Sequence, residues 1–90
     1  MRESEIEKYL VHCVKRAGGR TRKVKWIGRR GAPDRRVMLP GLCVWVELKA
    51  PGEKLEPHQE REHARMIECG ERVITIDSFA GVDALLLELL

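Results

Sequence analysis

Ninety residues suffice for one domain around one hydrophobic core, and 43% hydrophobic with 34% charged residues fit a folded chain rather than a disordered one. The longest apolar run, Leu42 to Val46, is far short of the ~20 residues of a membrane span, and the charged start MRESEIEKYL has no apolar signal core. The net charge of +3 conceals a division: Lys15 to Arg36 holds ten Lys/Arg and one acid (+9), while the rest holds seven bases and thirteen acids (−6). Such a segment suits a polyanionic partner, or else forms a solvated basic face.

In chain order, Ile6, Leu10, Cys13, Val14 and Ala17 recur at spacings of three and four, which predicts a helix over 4–17. Gly18-Gly19 stop it, and Ser4 with Glu7 has the spacing of a capping box. Val24 and Trp26 alternate with lysines, predicting a strand over 21–27, and residues 28–33 read as a basic loop. Two strands, 35–39 and 42–49, flank the turn signal Pro40-Gly41. A loop over 51–57 leads to a helix over 58–68 with Gly70 just past its end. A short β-branched strand over 72–76 and a leucine-rich helix over 78–90 complete the order αβββαβα, a single mixed α/β domain with one central sheet. Cys13, Cys43 and Cys69 are odd in number and form no CxxC, so reduced thiols in a cytosolic protein are expected rather than disulfides or a zinc site.

The hairpin carries the chemistry. A turn centred on Pro40-Gly41 makes cross-strand residue numbers sum to 81, so Val37 faces Val44 and Asp34 faces Glu47. Directly opposed residues have Cβ atoms about 4.5–5.5 Å apart, so the two carboxylates converge and repel unless a cation lies between them. A hard divalent ion with oxygen ligands is the natural bridge. A three-residue loop would shift this pairing by one. Strand alternation puts Lys49 on the face of Glu47, giving a metal-plus-ammonium constellation suited to activating water. The bland alternative is an exposed hairpin whose Asp34, Glu47 and Lys49 pair only with one another.

Gly31-Ala32-Pro33-Asp34, then Val46-Glu47-Leu48-Lys49-Ala50-Pro51-Gly52, then Lys54-Leu55 and Gln59 resemble the VRR-NUC domain, the virus-type replication-repair nuclease branch of the PD-(D/E)XK superfamily. Glu3, Ile6 and Leu10 resemble that domain's first helix, so the likeness spans nearly the whole chain. The length resembles that of stand-alone members from phages and bacteria, which implies a cytoplasmic location in a bacterial or phage-infected cell. The resemblance implies a restriction-endonuclease-like sheet flanked by helices. It further implies Mg²⁺ or Mn²⁺ held by Asp34, Glu47 and the Leu48 carbonyl with support from Glu3, a catalytic Lys49, and Gln59 reaching the site from the second helix. One departure is Glu7, where the family often has Gln; Glu3 and Glu7 lie one turn apart, and either could approach the metal.

The implied reaction is phosphodiester hydrolysis, with Arg22, Lys23, Lys25, Arg29, Arg30, Arg35, Arg36 and Lys54 expected to hold DNA phosphates. His58 and His63 lack the spacing of a zinc motif and read as surface or structural residues, as does His12. Trp45 reads as core, with Trp26 open between packing and base stacking. Leu85, Leu86, Leu87, Leu89 and Leu90 exceed one apolar stripe and suggest a homodimer. By likeness to Holliday-junction resolvases, a structure-selective endonuclease on branched DNA is expected. A looser nuclease on flaps or single strands and a non-catalytic DNA-binding module are the alternatives.

Overall fold

The computed structural model describes residues 1–90. Helix α1 (Glu3–Arg16) is followed by strands β1 (Arg20–Lys23), β2 (Arg35–Leu39) and β3 (Leu42–Leu48), helix α2 (Pro57–Glu68), strand β4 (Val73–Ile76) and helix α3 (Phe79–Leu89). The order is the expected αβββαβα. The sheet runs β1-β2-β3-β4, antiparallel except for the parallel β3–β4 pair, which α2 connects.

Ile6, Leu10 and Val14, four apart on α1, are completely buried against Val37 and Leu39 of β2 and Val44, Val46 and Leu48 of β3. Val82, Leu85 and Leu86 of α3 close this core beside Ile76. Alternation along β3 therefore separates an apolar face under α1 and α3 from a polar face under α2. Helix α3 starts at Ser78, whose hydroxyl accepts the Gly81 N–H at 2.9 Å. The start of α1 differs from the Ser4–Glu7 expectation: the Glu5 carboxylate accepts the Arg2 backbone N–H at 3.3 Å, because the helix cap lies two residues earlier, at Arg2.

The Pro40-Gly41 turn has two residues. Gly41 has φ 77°, the positive value that a type II turn requires after proline. The ladder accordingly pairs Leu39 with Leu42, Val37 with Val44 and Arg35 with Val46, the expected register. Strand β1 ends sooner than the alternation of Val24 and Trp26 predicts. The Val24 N–H still donates to the Asp34 carbonyl at 2.8 Å, but the chain then turns and Trp26 Nε1 donates to the Pro33 carbonyl at 2.7 Å. That bond lays Trp26 against Trp45, with ring centroids 5.1 Å apart, instead of extending the ladder.

Candidate active site

The β2–β3 register sets the site. One step beyond Arg35–Val46, Asp34 comes opposite Glu47 at the end of the hairpin, on the sheet face that α2 covers. Lys49 follows two residues after Glu47, just past the end of β3, where its backbone N–H donates to the Ile76 carbonyl at 2.9 Å and prolongs the parallel pairing. All three are half-buried, and the Glu47 side chain is only 13% exposed. Its carboxyl is pushed up to about 7, first by burial and next by the charge of Asp34. Lys49 pulls it down, and the charge of Glu3 at the start of α1 raises it slightly further. Glu3, Asp34, Glu47 and Lys49 therefore share one electrostatic site drawn from a helix, a loop and a strand.

Glu7 is committed elsewhere. Its carboxylate meets Arg35 at 2.6 Å and Lys23 at 3.3 Å. Burial alone would raise Glu7, yet these two cations hold it below the usual carboxylate range. Of the two first-helix acids, Glu7 serves the ion pair, and Glu3 is exposed and adds only the smallest of the charges that act on Glu47.

His63 was read from sequence as surface or structural, and it is structural: buried, with Nε2 3.5 Å from a Glu47 oxygen and no hydrogen-bond partner on that nitrogen. Burial lowers its imidazole below the ordinary value, opposed by the Gly31 backbone and Glu62 and aided by Lys49. Burial thus drives both His63 and Glu47 toward neutrality, which opposes their acting as an ion pair. Helix α2 buries Glu62 and His63 rather than an apolar stripe, which is why hydrophobic periodicity gave no warning of either. Gln59 is half-buried on the same helix, and its side-chain oxygen accepts the Glu56 N–H at 2.9 Å. That capping bond occupies the oxygen at the helix start.

The loop carrying Asp34 lies directly on α2. Gly31 has φ 90°, and a Cβ there would meet the His58 carbonyl oxygen at 2.7 Å, so only glycine fits this approach. Arg29 reaches Glu62 at 3.3 Å from the same loop.

Most of the predicted phosphate contacts are on the surface: Arg22, Lys23, Lys25, Arg29, Arg30 and Lys54 are exposed. Arg35 is not. It is 9% exposed, points to the core face with Val37 and Leu39, and is held by Glu7. The period-2 pattern Arg35, Val37, Leu39 was the available signal for this inward placement. Arg36 lies over the Trp45 ring, its guanidinium carbon 4.7 Å from the centroid, and is half-buried. A cleft of about 450 Å³ between α1 and β1 is lined by Lys15, Arg20 and Arg22 with no acid, extending the cationic surface along the β1 edge.

No group of three or more His, Cys, Asp or Glu side chains forms a ready metal cage. Two converging carboxylates are nevertheless what Mg²⁺ uses, since it keeps several waters and takes one or two carboxylates. The raised Glu47, with Asp34 and Glu3 adding negative charge around it, marks an excess that a hard cation would neutralise.

No protein-family profile matches the chain. A protein of Acyrthosiphon pisum secondary endosymbiont phage 1, provisionally named nuclease p44, is 53% identical over 79 residues, covering 87% of this chain and 85% of the phage protein. A solved structure described as a VRR_NUC domain superposes with a TM-score of 0.89 at 39% identity, covering 98% of this chain and 97% of the other. Agreement in sequence and in fold over nearly full length places this chain in the VRR-NUC family of nuclease domains.

Proposed function

We propose that this domain is a divalent-cation-dependent DNA endonuclease that hydrolyses phosphodiester bonds, with branched DNA such as a four-way junction as its preferred substrate. The observation that carries the catalytic part is the hairpin register, which brings Asp34 opposite a Glu47 only 13% exposed, with Lys49 two residues further on. Asp34 and Glu47 would hold Mg²⁺ or Mn²⁺, the Leu48 carbonyl would add an oxygen, and Glu3 would supply outer negative charge. When bound, the cation polarises the phosphate and lowers the pKa of an attacking water. Lys49 orients that water and balances the carboxylates. His63 packs against Glu47 and limits where its carboxylate can turn. Gln59 reaches the site from α2 only if its capping bond to Glu56 is exchanged for one to substrate.

The exposed cations hold phosphates without reading bases, so binding falls steeply with added salt. Preference for branched DNA rests on pairing two such sites. Leu87 on α3 and Leu90 just past its end are 83% and 76% exposed, apolar surface suited to a two-fold partner, and a symmetric dimer matches the symmetry of a four-way junction. Purified protein assayed with Mg²⁺ and with Mn²⁺ on four-way junction, flap, single-stranded and linear duplex DNA tests both parts. Nicking concentrated on the junction supports the proposal, and equal cutting of linear duplex removes the selectivity. Binding without cleavage under either metal would instead indicate a DNA-binding module.

A further inference from the structure

Resting on the nuclease reading, we infer that the cleft beside Asp34 is a subsite for the nucleotide flanking the cleaved bond, and that buried Glu62 presents Arg29 to its phosphate. The cleft measures about 440 Å³ and is lined by Lys23, Lys25, Trp26, Arg29 and Asp34 among others. Pockets of roughly 300–1,000 Å³ take small ligands, so this one has room for a single nucleotide and none for a duplex. Because Asp34 forms part of its wall, a nucleotide seated there adjoins the bond at the metal-binding carboxylates.

The lining is built for a phosphate ester with an attached base. Lys25 has no carboxylate partner, whereas Lys23 is shared with Glu7. Trp26 is immobilised at both ends of its indole, by the bond to Pro33 and by Trp45, and offers a fixed aromatic wall.

Arg29 is the residue with a dedicated support. Glu62 has a side chain only 7% exposed, and a buried carboxylate is costly unless charged donors meet it. Arg65 donates its Nε–H to it at 3.0 Å, and Arg29 Nε forms an ion pair with the same oxygen at 3.3 Å, while the side chains of Arg65 and Arg29 remain 52% and 54% exposed. Contact through Nε leaves the two terminal amino groups of Arg29 free for the two oxygens of a phosphate. The close packing of Gly31 on α2 already anchors the loop, and an apolar pair would anchor it further without desolvating a charge. A carboxylate at this position fixes the direction of a guanidinium, and Glu62 is accordingly a positioning residue.

The test uses a DNA that the wild type cuts, carrying one neutral methylphosphonate at each position within two nucleotides of the cut in turn. At one flanking position the wild type loses about tenfold in kcat/KM, the scale of a single charge-assisted hydrogen bond. Arg29→Ala loses a similar factor on unmodified DNA and nothing further on DNA neutralised at that position. Glu62→Gln raises KM more than it lowers kcat and shrinks the same coupling. Should that variant fold poorly, Arg29→Ala, an exposed loop substitution, decides alone. Additive losses at every position, with an active wild type, overturn the subsite. A wild type that cuts no DNA with either metal overturns the nuclease reading beneath it.

Discussion

Replacing Glu47 by Gln separates what this carboxylate does for function from what it does to stability. Glu47 stands at about 7 against an ordinary 4.5. At about 1.4 kcal/mol per unit, ionising it in the folded state opposes folding by roughly 3 kcal/mol in the dry limit, and by about 1–2 kcal/mol once solvent screening is allowed for. The sign follows from linkage. Below pH 4.5 the carboxyl is protonated in both states and nothing is lost. Between 4.5 and about 7 the unfolded chain releases the proton first, so folded stability falls, and above about 7 the whole penalty applies. His63, held low by burial, loses stability in the opposite direction as pH falls below its ordinary 6.5, but it is present in both proteins and largely cancels in their difference. Without divalent metal, Glu47→Gln and wild type should therefore melt together near pH 4.5, and the variant should melt roughly 5–10 °C higher at pH 8. Circular dichroism melts in EDTA across that range measure it. Adding Mg²⁺ or Mn²⁺ at pH 8 should raise the wild-type melting point and leave the variant unmoved, because only a site that binds metal when folded is stabilised by it. Parallel pH curves for the two proteins would refute the electrostatic account, and equal metal shifts would refute the assignment of Glu47 as a ligand.

Other perturbations probe separate parts of the molecule. Lys49→Ala should keep DNA affinity within a few-fold and lose cleavage by at least about 100-fold, the usual reach of acid–base assistance, as read from binding titrations and cleavage rates on one substrate. Asp34→Asn should abolish the heat of Mn²⁺ binding by calorimetry; unchanged heats would remove it from the metal site. Glu7→Ala should destabilise the fold by about 2–3 kcal/mol in urea titrations, since it strands the buried Arg35 guanidinium. Part of that loss should also appear in wild type as pH drops through the lowered Glu7 value, because a depressed carboxylate stabilises only while ionised. Gly31→Ala should cost about 1–3 kcal/mol and reduce cleavage more than DNA binding, because a Cβ lifts the Asp34 loop from α2.

Local pattern was enough to write down the element order, the apolar face of the hairpin and the opposition of Asp34 to Glu47. Each depends on periods of two or 3.6 residues and on the short Pro40-Gly41 turn, which transmits register directly to the site. The division between a basic segment and an acidic remainder was equally plain in composition. The early end of β1 was less legible, because Val24 and Trp26 alternate as in a strand while the Trp26 indole is drawn aside by Pro33 and Trp45.

Only tertiary packing decided that Glu7 is held by Arg35 and Lys23, that Arg35 is thereby an internal counterion, and that His63 and Glu62 lie under the loop that carries Asp34. The partners of these groups are 28 residues away for Arg35 and Glu7, and on a different element for Arg29 and Glu62. Helix α2 has five charged residues and only Ala64, Met66 and Ile67 as apolar ones beyond its first proline, so no apolar stripe announces which face meets the sheet. A polar side chain's role is set by what desolvates it and which charge reaches it, and both depend on how distant segments pack rather than on spacing along the chain.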